Sequence, residues 1–203
     1  MSTTTTDPHA GWKPDWLAAE MPPGYRNRLE ELQRLSREVD ELGRFGRLLY
    51  RVGPELAEAV RDAFEALGFD VGGAEGSSGT VIVRLDSMRR LLVHVSSSDA
   101  VIQRRSPDLA NVFQMLHELA GPDDRVTLVV NHHPETRPAD RREGVDAEAL
   151  GLLTRMGANY LPAPALFSLW SLSLQNRDHA RGFVERLHEQ DGGAFVLPAS
   201  LGV

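Results

Sequence analysis

The chain contains no cysteine and a single lysine, Lys13, and each scarcity removes a class of chemistry. Without cysteine there are no disulfides, no thiolate nucleophile, no cysteine-ligated zinc and no iron–sulfur cluster. With Lys13 as the sole lysine, every other basic residue is arginine, so a mechanism that needs a lysine inside a folded active site has none to draw on. No apolar run approaches the ~20 residues that span a bilayer. Met1 to Asp7 is rich in Ser and Thr and lacks the basic and apolar regions of a signal peptide. A soluble, cytoplasmic protein with no membrane contact is expected.

What is present is 203 residues carrying 22 basic and 29 acidic side chains, a net charge of −7. That length fits one domain of ~150 residues with an appendage of ~50, and a core of this size folds without staples. Residues 1–24 read as a flexible tail, because Pro8, Pro14, Pro22, Pro23 and Gly24 interrupt regular structure. Trp12 and Trp16 form an apolar knot inside it, suited to docking on the chain's own domain or on a partner.

Residues 25–49 read as an amphipathic, coiled-coil-like helix. Leu32, Leu35, Val39 and Leu42 fall at alternating three- and four-residue steps with charged residues between them. Gly43 and Gly46 weaken the pattern after two to three heptads. So short a helix is marginal alone, so its stripe packs on its own domain or on a second copy, parallel or antiparallel.

Residues 50–203 read as an α/β domain, a mixed central sheet flanked by helices. A helix over 54–67, with Pro54 in its first turn, leads to a strand at 69–71. A glycine-rich stretch over 72–79 lacks the Lys and the following helix of a phosphate loop and reads as a hairpin loop. β-branched runs at 80–85 and 91–95 form an antiparallel hairpin. A helix opening at Ser106 should turn Leu109, Val112, Phe113, Leu116 and Leu119 inward. The nearly all-apolar strand 126–130 implies burial on both faces. Helices at 146–156, 164–174 and 178–189 and strands at 159–161 and 194–197 complete the order.

Several words in this order are similar to a bacterial branch of the PD-(D/E)XK nuclease superfamily, whose core is restriction-endonuclease-like. They are Pro14-Asp15-Trp16-Leu17, Leu48-Leu49-Tyr50 with Gly53 and Glu55-Leu56, Leu67-Gly68-Phe69-Asp70-Val71, Leu128-Val129-Val130-Asn131 with Pro138 and Arg141, Gly157-Ala158 with Leu161, and Leu166-Phe167. The resemblance spans about residues 12–175 and implies a metal-dependent phosphodiesterase fold. Such chemistry needs an Asp on one strand and Glu-x-Lys on its neighbour, so that carboxylates hold Mg²⁺ and lysine helps activate water. The implied positions are Ala57 for a helix Glu, Val81 for the Asp, and His94 and Ser96 for the Glu and the Lys. None carries the required group. A pseudo-nuclease is therefore expected, without metal or cofactor; Asp70, Asp86 and His94 are the substitutes that a surviving active site would need.

Two further constellations compete. His132 and His133 follow a buried strand at its carboxyl end, where α/β sheets carry sites, and with His94 and Glu135 they offer metal-ligand chemistry. Adjacent residues point apart on extended backbone, which opposes chelation of one ion. The arginine doublets Arg89-Arg90, Arg104-Arg105 and Arg141-Arg142 offer bidentate phosphate contacts, although the acidic balance opposes non-specific duplex binding. The leading expectation is a non-catalytic docking or scaffolding protein that binds a protein partner or itself through residues 1–49. Nucleic-acid or nucleotide binding through the arginines is the alternative, and a nuclease with migrated residues a third.

Overall fold

The computed structural model describes residues 20–73, 79–96 and 98–198. The chain forms two compact units, Met1–Leu42 and Gly43–Val203. Trp12 and Trp16 lie outside the described residues, as does most of the glycine-rich loop over 74–78.

In the first unit the chain turns at Pro22, whose carbonyl accepts the Tyr25 N–H at 3.1 Å, with Gly24 at φ +90° where only glycine sits without strain. Helix α1 (Tyr25–Arg44) follows, and it buries no residue. Arg34 and Glu38, one turn apart, pair along its surface at 2.5 Å.

The second unit is a six-stranded mixed sheet with helices on both faces. After the short α2 (Arg47–Tyr50) and α3 (Gly53–Ala66) come strands β1 (Asp70–Gly73), β2 (Thr80–Arg84) and β3 (Arg90–Val95), then α4 (Pro107–Glu118) and β4 (Arg125–Val130). The chain continues through α5 (Ala147–Met156), β5 (Asn159–Pro162), α6 (Ala163–Ser173), α7 (Arg177–Glu189) and β6 (Gly193–Ala194). The strands lie in sequence order; β1, β2 and β3 form an antiparallel meander, and β3 to β6 run parallel.

Side-chain alternation divides the core in two. Val81, Val83, Leu91, Val93, Val95, Val129 and Leu161 pack with α2, α3, α6 and α7. Leu92, Val126, Leu128, Val130 and Tyr160 pack with α4 and α5 on the other face. β4 is thus covered on both sides, as its unbroken apolar run required. Phe45 and Leu48 are buried, so the packed core begins before residue 50.

Two expectations fail. Phe113 is 52 % exposed and Leu119 is exposed as well, whereas Asp108, Leu109, Val112 and Met115 are buried. The inward face of α4 is rotated because Asp108 turns toward the sheet to meet His94. The last strand is only Gly193–Ala194; beyond it the Phe195 N–H still donates to the Tyr160 carbonyl of β5 at 2.8 Å, and the strand does not reach 197.

Candidate functional site

β3 sends His94 and Ser96 toward α4, at the carboxyl end of the parallel strands. Asp108, the second residue of α4, meets them there: its Oδ1 lies 3.1 Å from His94 Nε2, and both residues are buried. Asn111, one turn further along α4, places Nδ2 3.5 Å from the same nitrogen. Thr80, the cross-strand neighbour of His94, directs its hydroxyl to Met115 Sδ at 3.9 Å. Burial by itself would raise the Asp108 pKa, but the hydrogen bonds from His94 and Ser96 outweigh it and hold the carboxyl below its ordinary range.

Of the four positions singled out in the sequence, His94 and Ser96 belong to this network; Val81 and Ala57 do not. The Val81 side chain enters the α3 face, and the residue opposite His94 is Thr80. Ala57 is also on the α3 face, partly buried against that core. Neither acid proposed as a substitute is near. Asp86 sits in the β2–β3 turn, where the Arg89 and Met88 N–H groups and the Arg89 side chain hold its carboxyl down to about 2. Asp70 pairs with Arg84 at 2.9 Å, also at the far end of the hairpin from His94. A Ser–His–Asp relay places the imidazole between hydroxyl and carboxylate. Here the carboxylate stands between His94 and Ser96, so the imidazole is not poised to activate the hydroxyl.

The second histidine pair is spent on the loop over 131–144. His132 Nε2 donates to the Arg142 carbonyl; its Nδ1 is buried with no hydrogen-bond partner among the described residues, and so is the Tyr160 hydroxyl. Burial lowers the His132 pKa, and the neighbouring positive charges lower it further. His133 adopts φ 47° and packs edge-on to His132. No group of three or more potential ligands among the described residues could hold a metal ion.

The arginine doublets do not converge on one groove. Arg89 and Arg90 stand at the start of β3, bound to Asp86 at 2.6 Å and to Asp124 at 2.5 Å and 3.0 Å. The other four lie beyond the far end of β3, about 20 Å away at the usual strand rise. Arg141 is a clamp: it donates to Asn131 Oδ1 at 2.6 Å, to Thr136 O at 2.8 Å and to the Leu49 carbonyl. Arg142 is exposed, and its carbonyl serves His132. Arg104 and Arg105 are exposed, make no ion pair among the described residues, and line a shallow polar depression with Gln103, Asp146 and Glu148.

On α1, Leu32, Leu35, Val39 and Leu42 are 64 %, 45 %, 67 % and 49 % exposed. Sequence reading missed Asp108, Asn111 and Tyr160. The Ser106-Pro107-Asp108 word signals a helix start, where an acid suits the dipole, and nothing local marks this acid as the partner of a histidine fourteen residues earlier.

No helix among the described residues is long and apolar enough to cross a membrane. No family model, curated protein or solved structure matches the chain.

Proposed function

We propose that this protein is a non-catalytic docking or scaffolding component, working through α1 and built on a degenerate restriction-endonuclease-like core. The observation that carries the reading is the uncovered stripe: four large apolar residues on one helix face, each at least 45 % exposed. Isolated exposed apolar residues are ordinary, but a contiguous set at helical spacing marks an interaction face. The core assignment rests on the order helix, three-strand meander, helix, parallel strand, with the first helix on one face of the sheet and the second on the other. The non-catalytic reading is supported by His94 and Ser96, which stand where the resemblance implies Glu and Lys and are bonded to Asp108 instead, and by Val81 and Ala57, which lie on the opposite face and carry no acid.

Two measurements on the full chain test it. Incubation with single- and double-stranded DNA and RNA in Mg²⁺ or Mn²⁺ should give no cleavage above an EDTA control; metal-dependent cleavage abolished by His94→Ala overturns the non-catalytic reading. The double variant Leu35→Glu/Val39→Glu should leave the unfolding midpoint of the core unchanged. A lowered midpoint would mean the stripe serves the chain's own core rather than a partner.

A second reading is favoured by one feature. Arg104 and Arg105 are exposed, side by side and unpaired among the described residues, on the rim of a polar depression that Arg155 extends. Phosphate binding there makes the protein a nucleic-acid or nucleotide binder, measured as fluorescence anisotropy of labelled DNA and RNA and lost in Arg104→Ala/Arg105→Ala.

A further inference from the structure

We infer that the occupant of the α1 stripe is a second copy of this chain, paired in parallel and in register as a short two-stranded coiled coil; this rests on the docking reading of α1. In a heptad frame, Leu32 and Val39 take the a positions and Leu35 and Leu42 the d positions. All b, c and f positions between Tyr25 and Arg44 are polar or charged, and from Leu32 to Leu42 the apolar surface is a narrow a/d seam, with Leu29 at e as its one apolar flank. A helix meant for a globular core carries a wider stripe, whereas a strict a/d seam fits a single partner helix. Val at a with Leu at d is the pattern of two-stranded pairs.

Charge selects the partner and its direction. α1 carries five arginines and five acids, so it is neutral in a chain of net charge −7, and two copies of it meet without the repulsion that the rest of the molecule carries. A strongly basic or strongly acidic partner gains nothing from such a face. The g positions are Glu31 and Glu38, and the e positions are Leu29, Ser36 and Gly43. In a parallel pair, g faces e of the other helix, which sets Glu31 against Ser36 and Glu38 against Gly43, with no like charges opposed. An antiparallel pair brings g to g and sets Glu38 against its own copy, at a cost. Arg28, at the d position before Leu32, ends the seam, and its long stem lets the charge reach water.

The absence of cysteine makes the test clean. Leu42→Cys in the full chain should oxidise to a covalent dimer, because d residues of parallel, in-register helices face each other. Adding Leu35→Glu/Val39→Glu to it should abolish that cross-link, and light scattering of the uncut, cysteine-free chain should show a mass that rises toward the dimer with concentration. Cross-linking only in a mixture of Leu32→Cys and Leu42→Cys chains overturns the parallel arrangement. A monomeric mass at every concentration, with no cross-link, overturns the second copy. Neither result touches the docking reading itself, which fails only if Leu35→Glu/Val39→Glu lowers the core's unfolding midpoint.

Discussion

Asp108 and His132 are buried polar residues with opposite hydrogen-bond fortunes, and that difference makes separate predictions. Asp108 is satisfied from the strand below it, so Asp108→Ala leaves the buried His94 Nε2 with only its 3.5 Å contact to Asn111, while Ser96 keeps Ser98, and should cost about 1–3 kcal/mol in urea unfolding. Its lowered pKa means that this contribution is complete above the ordinary carboxylate value of ~4 and is lost as pH falls below it. His132 behaves differently, because its folded pKa is depressed by burial. The unfolded chain therefore binds the proton more readily below ~6.5, so stability is complete above that value and declines as pH falls from it. His132→Gln retains a donor for the Arg142 carbonyl and removes the titration. Urea midpoints between pH 7 and 5 should then flatten in the variant, and an unchanged slope would mean that His132 is not the titrating group.

At the scale of elements, α4 and the loop over 131–144 show how one polar contact orients a whole segment. The α4 pattern 109, 112, 113, 116 and 119 is a plausible inward face on periodicity alone. Pairing Asp108 with His94 and setting Met115 on Thr80 shifts that face, and Phe113 goes to solvent against His117. The loop is held by Arg141, whose planar fork reaches Asn131, Thr136 and the Leu49 carbonyl at once. Lysine keeps the charge but not the fork. Arg141→Lys should cost about 1.5–3 kcal/mol, the range for hydrogen bonds to a charged group. Hydrogen exchange should quicken over residues 134–140, and protection equal to that of the wild type there would show that the clamp is dispensable.

At the scale of the whole molecule, the charge and the sheet both limit what the core can do. A net charge of −7 leaves little attraction for duplexes, and Arg89, Arg90 and Arg141 are already engaged, the first two by Asp86 and Asp124 and the third by Asn131 and backbone carbonyls. If Arg104 and Arg105 alone engage phosphates, the log–log salt slope of nucleic-acid binding should be about −2, not the steep dependence of a basic groove. A steeper slope would require contacts from elsewhere on the surface. The parallel connections also differ: α4 and α5 cross on one face of the sheet, while α6 and α7 cross on the other although the strand order advances in the same direction. The β5–β6 connection is therefore of opposite hand to the two before it. Parallel crossovers are nearly always right-handed, so at most one of these hands is the common one, and β6 makes only two residues of pairing.

Local pattern was enough for the α/β class, the meander, the buried β4 and the helix over 25–44. These follow from periodicity and from turn residues, both of which act over a few residues of chain. Tertiary structure alone decided the rest: that His94 and Ser96 share Asp108, that Thr80 and not Val81 faces His94, that Arg141 is structural while Arg104 and Arg105 stay exposed, and that α4 turns Phe113 outward. Each depends on contacts between segments distant in the chain. Burial there makes an unpaired polar group costly enough to override what the local pattern prefers.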